Sequence, residues 1–354
     1  MSFTKSPPAA GDSTAEPPPR TRPPGGRRSV RAAGLLGSLL ILLAVLALSI
    51  AIGSKPLSLG EVWNALFDPH SPDYAVVHDM RLPRTAMGLL AGAALGLAGG
   101  VMQALTRNPL ADPGLMGINA GSSAAVASAI ALLGVGTFDG YIWFAFLGAA
   151  AVSVLLYAVG GGRGATPARL ALAGAALNAT LYSYVSAVML LDSASLERMR
   201  FWTVGSLADA HAGTVVKVAP FVLAGLLLSL ALARPLNALA LGDDSARALG
   251  SRPARIRVGA IVAVTVLCGA ATAACGPIVF VGLMVPHMVR ALTGPDLRWL
   301  LPYCAVLAPV LLLGADVLGR VAARPSELQV GMVTTVLGGP LFLYFVRRRK
   351  VARA

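Results

Sequence analysis

Beyond residue 31 the apolar positions of this chain neither alternate with polar ones nor recur at the spacing of a half-buried helix; they run together in blocks. An α-helix rises 1.5 Å per residue, so about 20 apolar residues cross the roughly 30 Å of bilayer hydrocarbon. The blocks predict ten spanning helices, at about 32–53, 82–105, 114–133, 139–160, 167–191, 213–233, 256–275, 277–290, 299–319 and 328–346. The eighth is short, and Gly276-Pro277 leaves its border with the seventh open. The fold class that follows is an all-α polytopic membrane protein.

Residues 1–31 are rich in Pro, Gly, Ser and Thr and predict a disordered tail. The apolar run after them, AAGLLGSLLILLAVLALSIAIG, is too long for the core of a signal peptide and ends in no small-residue cleavage site. It reads as the first span. Residues 32–348 then form one transmembrane domain, and 349–354 a basic tail.

Composition supports this class. Hydrophobic residues make up 56% of the chain and charged residues only 13%, against about a quarter charged in a soluble domain. A net charge of +13 invites a nucleic-acid reading, but the cations lie between apolar blocks and at the two ends rather than along one face. With ten spans and both ends inside, 21 of the 29 Lys and Arg residues fall on the inner side and eight on the outer. The first outer loop, KPLSLGEVWNALFDPHSPDYAVVHDM, is net acidic. That is the positive-inside bias, and an odd number of spans would place a basic end outside.

Within the spans, Gly88, Gly92, Gly96 and Gly100 recur every four residues and mark a face where a neighbouring backbone can approach closely. Ionisable residues are scarce: Asp316 and His287 are the candidates, and both read as structural hydrogen-bonding groups. The fifth span is the most polar. Asn178, Thr180, Tyr182, Ser183, Tyr184 and Ser186 either line a path for a polar solute or bond to neighbouring helices. Cys268, Cys275 and Cys304 lack paired spacing and read as small core residues, so no metal site is expected.

Catalytic patterns are missing. There is no GxxxxGK[ST], GxSxG or HExxH, and Asp243-Asp244 has no second acidic cluster with which to hold a diphosphate through Mg²⁺. The polar insert ALALGDDSARALGSRPARIR, 238–257, reads instead as a short surface helix. Asp243 is the expected N-cap, Asp244 a first-turn acid and Gly250 the residue that ends the helix. A helix of one or two turns is not stable alone and must dock on something.

Five stretches together resemble one family. They are RLPRTAMGLLAGAALGLAGGVMQALTRNPLADPGLMGINAGSSAAV (81–126), RFWTVGSLA (200–208), NALALGDDSARALG (237–250), GPIVFVGLMVPHMVR (276–290) and SELQVGMVTTVLGGPLFLYFVRRR (326–349). In this order, across about 35–350, they are similar to the permeases of iron-siderophore and vitamin B12 ABC importers, nearest to the ferric-enterobactin type. The resemblance implies the type II importer fold and no catalysis by this chain. It also implies a second permease subunit, identical or a sister chain, and two cytoplasmic ATPase subunits that carry ATP and Mg. An external siderophore-binding protein or lipoprotein would deliver the Fe(III)-siderophore at the cytoplasmic membrane. Coupling helices at about 239–251 would seat on the ATPase through Leu241, Gly242, Asp243, Asp244, Ala246, Arg247, Leu249 and Gly250. Arg81, Arg84 and Arg320 match arginines that meet acidic groups of the binding protein; snorkelling at the membrane boundary is the plainer reading. Two positions depart from the family pattern: Gln329 stands where proline is common, and Ser251 where an apolar residue is usual.

Cobalamin and haem permeases are the alternatives inside the family. A self-contained secondary transporter is the alternative of another class, and the lack of intramembrane charge weighs against it.

Overall fold

The computed structural model describes residues 24–160, 167–191 and 202–351. Its regular structure is helical throughout these residues. In chain order the helices are α1 (Pro24–Ala51), α2 (Leu59–Phe67), α3 (Leu82–Leu105), α4 (Ile118–Leu133), α5 (Phe138–Gly160) and α6 (Pro167–Leu191). Then follow α7 (Ala212–Ala240), α8 (Asp243–Ala248), α9 (Pro253–Cys275), α10 (Val281–Thr293), α11 (Leu297–Ala322) and α12 (Val330–Val351). A π-helical turn, Val76–Arg81, leads into α3. Among the described residues helix α1 already includes 24–31, part of the segment expected to be disordered. Farther along, Tyr303 donates its hydroxyl hydrogen to the Arg31 carbonyl at 2.6 Å, pinning the extra turns to α11.

Ten of the helices correspond in order to the ten predicted spans, and among the described residues seven are long and apolar enough to cross a membrane. The third and eighth predicted spans are shorter helices: α4 has 16 residues and α10 has 13. Thirteen residues reach about 20 Å, less than the hydrocarbon thickness. The missing length before α10 is an irregular strip, 276–280. Such backbone is tolerated at membrane depth only where protein covers it. Here Gly276, Pro277 and Ile278 are buried, and Asn119 Nδ2 donates to the Ile278 carbonyl at 3.1 Å.

Helix α3 is the axis of the bundle. It packs against α1, α7, α9, α10 and α11 and is buried along most of its length. The glycine face explains how. A Cβ on Gly92 would come within 2.5 Å of Pro309 Cα, and one on Gly100 within 2.9 Å of Leu301 Cδ2. Gly96 abuts the Cys304 carbonyl and Gly88 abuts Leu313, so the predicted face is the contact with α11. Gly99, one position off that face, lies against Gly282 of α10. The three cysteines are free and buried in this core, Cys304 among the contacts of the glycine face.

Candidate functional site

The insert at 238–257 folds as the end of α7, the six-residue α8 and the start of α9. Gly242 is the N-cap of α8, at φ 111° and ψ 156°, a region that essentially only glycine enters. The expectation for Asp243 is therefore corrected. It is the first helical residue, and its carboxylate makes no capping bond because two arginines draw it aside. Arg257 Nη2 donates to its two oxygens at 2.7 and 2.9 Å, and Arg107 Nη2 donates to Oδ1 at 2.8 Å. Partial burial works to raise the Asp243 carboxyl, but the Arg107 hydrogen bond and the Arg257 charge outweigh it and hold it below the usual carboxylate range.

The rest of α8 is two-sided. Ala246 is fully buried against the bundle, whereas the Asp244 side chain is 99% exposed and pairs only with Arg247, at 2.9 Å. Leu241 and Leu249, at the two ends, are 68% and 64% exposed. Gly250, at φ 77°, ends the helix as predicted, and the Ser251 N–H bonds back to the Ala246 carbonyl at 2.9 Å. The segment thus presents a bare strip of two leucines, an aspartate and an arginine, held from behind by Asp243.

What holds it is the end of α3. Thr106 Oγ1 donates to the Met102 carbonyl at 2.7 Å and the Asn108 N–H to the Gln103 carbonyl at 3.1 Å, which satisfies the last turn. Between them Arg107 sits at φ 50°, a left-handed backbone uncommon for a residue with a side chain. Its Nη2 bridges Asp243 and the Leu239 carbonyl, the latter at 2.7 Å. Farther along the same loop, buried Asp112 accepts the N–H groups of Gly114 (2.8 Å) and Leu115 (3.0 Å) through Oδ1. Burial pushes its carboxyl up to about 6, against these two N–H bonds and a third from Leu283 in α10. Gln103 adds a contact to α10, with Nε2 3.3 Å from the Leu283 carbonyl and Oε1 accepting from Arg290 at 3.1 Å.

A second polar cluster lies at the opposite end of α3. Arg81, Arg84 and Arg320 were expected to face an external partner; they are turned into the chain, at 4%, 9% and 2% exposure. Arg84 grips Asp316 (Nη2–Oδ1 2.7 Å) and Glu327 (Nη1–Oε2 2.6 Å), and Arg320 pairs with Asp316 at 2.8 Å. Arg320 Nη1 donates to the Ser49 and Ile52 carbonyls, and Arg81 Nη1 to those of Ile50 and Ala51, each within 2.9 Å. The reason is local: the last carbonyls of α1 have no intrahelical donors, and arginine supplies both hydrogen bonds and a charge suited to a helix C-terminus. Direct contact with another protein would require these groups to leave their partners. Asp316 is structural, as expected, and fully buried.

The polar residues of α6 do not share one face. Thr180, Ser183 and Ser186 are exposed, with Thr180 Oγ1 bonded to the Ala176 carbonyl in its own helix. Tyr184 Oη lies 2.7 Å from Ser128 Oγ of α4, which is the interhelical alternative. Asn178 and Tyr182 are half-buried and one turn apart, and Asn178 N lies near Gly117 at the start of α4.

The sequence pattern of the FecCD transport family matches residues 40–348, from α1 through most of α12. The chain belongs to the FecCD transport family. Among its relatives, the ferric enterobactin transport system permease protein FepD of Escherichia coli is 47% identical, over 90% of this chain and 96% of its own length. An Fe(3+)-citrate import system permease protein of Bacillus subtilis, YfmD, is 38% identical over 91% and 96%. The hemin transport system permease protein HmuU of Yersinia pestis is 38% identical over 90% and 97%. A solved metal-chelate type ABC transporter, in an inward-facing conformation, superposes with a TM-score of 0.78 at 27% identity, covering 90% of this chain and 99% of that one. The ABC importer permease fold is therefore the fold of this FecCD chain.

Of the stretches that carried the family resemblance, RFWTVGSLA lies partly outside the described residues, which resume at Trp202. Sequence reasoning found the FecCD chain's α8 and missed what anchors it. Arg107 and Asp112 stood in a quoted stretch, and Arg257 marked only the start of a span; no spacing rule links any of them to α8. The left-handed Arg107 backbone is a tertiary fact with no signal in the residue type.

Proposed function

We propose that this FecCD chain is the permease subunit of an ABC importer that carries a ferric siderophore inward across the cytoplasmic membrane. The observation that supports it most is α8: a helix too short to stand alone, anchored on one side by Asp243 and bare on the other at Leu241, Asp244, Arg247 and Leu249. That bare strip is the seat for a cytoplasmic ATPase subunit, which carries ATP and Mg. Two such subunits serve a pair of permease chains, and their closure shifts the pair between inward- and outward-facing states through differential contacts at α8. Both ends of the chain are cytoplasmic. The exposed Thr180 and Ser183 of α6 line the path between the paired chains. An external binding protein docks on the outer rim, where Lys55 and Arg324 are exposed beside the buried arginine cluster.

The names of the relatives favour a ferric siderophore as cargo, and hemin is the second reading, carried by the hemin permease relative. The test is reconstitution with the ATPase and binding protein in proteoliposomes, with uptake of ferric enterobactin, ferric citrate and hemin measured beside ATP turnover. Ferric enterobactin should stimulate turnover and accumulate in the lumen. Accumulation of hemin alone would replace the cargo, and stimulation by none would sink the importer reading. Leu249→Glu should abolish recruitment of the ATPase while the permease still inserts.

A further inference from the structure

We propose that Arg107 is a positioning residue: the strut through which a displacement of α8 enters the loop 106–117, and from there the ends of α3, α4 and α10. The proposal rests on the reading of α8 as the ATPase seat.

By chain connectivity α8 can move only α7 and α9, which flank it, and those are the helices it packs against most. The axis of the bundle is α3, to which α8 is tied through Arg107, in the loop just after α3, whose Nη2 lies 2.8 Å from Asp243. The same Arg107 nitrogen holds the Leu239 carbonyl of α7 at 2.7 Å, so the guanidinium is fixed on both sides of the α7–α8 joint. Two acceptors on one nitrogen, in a group whose planar fork fixes direction, transmit position better than a lysine ammonium on a flexible stem. The backbone of Arg107 is held left-handed to make this reach, and such outliers persist where the surroundings over-determine them.

The other end of the loop is pinned as firmly. Asp112 binds its own loop through Gly114 and Leu115, just before α4 begins, and binds α10 through Leu283. Asn119, in the first turn of α4, holds the strip before α10 at the Ile278 carbonyl. A loop tied at Arg107 to the ATPase seat, and at Asp112 to two helix N-termini, moves those helices when the seat moves. Arg257 gives Asp243 a parallel tie to α9, already its near neighbour in sequence, so the reach into the core belongs to Arg107 alone of the two. Exposed ion pairs add little to stability, and Arg107 is 44% exposed. Its removal should therefore leave a folded protein.

Proteoliposomes that contain the permease, its ATPase subunits and the binding protein test this, with ferric enterobactin uptake and ATP turnover read in the same vesicles. For Arg107→Ala the complex should assemble and ATP turnover should fall by less than about twofold. Uptake per ATP should fall by about tenfold or more. Arg107→Lys should restore part of that ratio. The double variant Arg107→Ala/Asp243→Asn should be no worse than Arg107→Ala, since the two residues act as one link. Uptake per ATP equal to wild type in Arg107→Ala overturns the strut, and so does failure of both Arg107 variants to assemble, which would make the residue structural. If instead Leu249→Glu keeps full ATPase recruitment and stimulated turnover, the ATPase-seat reading fails, whatever Arg107 does.

Discussion

Asp316 sits between two guanidinium groups with no exposure of its own, and Glu327 completes the set. Replacing buried ions by apolar groups is often neutral, but removing one partner strands the others. Asp316→Asn should therefore destabilise by about 3–5 kcal/mol, read as a lower Tm or loss of folded yield in detergent. Arg247→Ala, which breaks an exposed pair on α8, should leave Tm unchanged. Asp112 makes a different prediction. Its folded carboxyl is raised to about 6 from an ordinary 3.8, so between these values the folded state holds a proton that the unfolded state has lost. Stability then falls as pH rises through that window, is lowest above it, and recovers below the unfolded value. Asp112→Asn should flatten this slope in unfolding measured from about pH 4 to pH 7, even if it shifts overall stability. At this scale little was legible beforehand. Arg84 and Asp316 are 232 positions apart, and Arg107 and Asp243 are 136 apart; a cation and an anion so separated have no pattern that pairs them.

At the scale of elements the sequence spoke more clearly, because helices carry their packing faces as periodicities. The four-residue glycine repeat named a face, and the structure supplied α11 as its partner. Gly92→Leu should abolish folded yield, since the obstacle is Pro309 backbone that cannot yield, while Gly37→Leu meets nothing within 4 Å and should express normally. Gly242 is open in space but not in conformation: with φ at 111°, Gly242→Ala should cost about 1–3 kcal/mol in strain. That loss falls on the entry to α8, so limited proteolysis should cut 240–252 sooner in the variant than in the native chain. The length of α10 was the element least visible in advance. Ile278, Val279 and Phe280 continue the apolar block into Val281, so hydropathy alone does not mark where α10 begins.

For the whole molecule, the charge bias makes a topological prediction that the structure renders testable. All three native cysteines are buried, so an added one reports alone. Asp244→Cys should react with a membrane-impermeant maleimide only when the cytoplasmic face is open, and Lys55→Cys from the outside of intact cells. The reverse pattern would invert the orientation. The apolar blocks, the positive-inside bias, the glycine face and the place of α8 were legible in the sequence itself, because each is a property of length, charge or spacing along a local stretch. The inward turn of Arg81, Arg84 and Arg320, the tie from Arg107 to Asp243 and the shortness of α4 and α10 were decided only by the tertiary structure. These depend on which helix ends meet and where their unsatisfied carbonyls, N–H groups and charges find partners, and that is settled by packing around α3 rather than by any one segment.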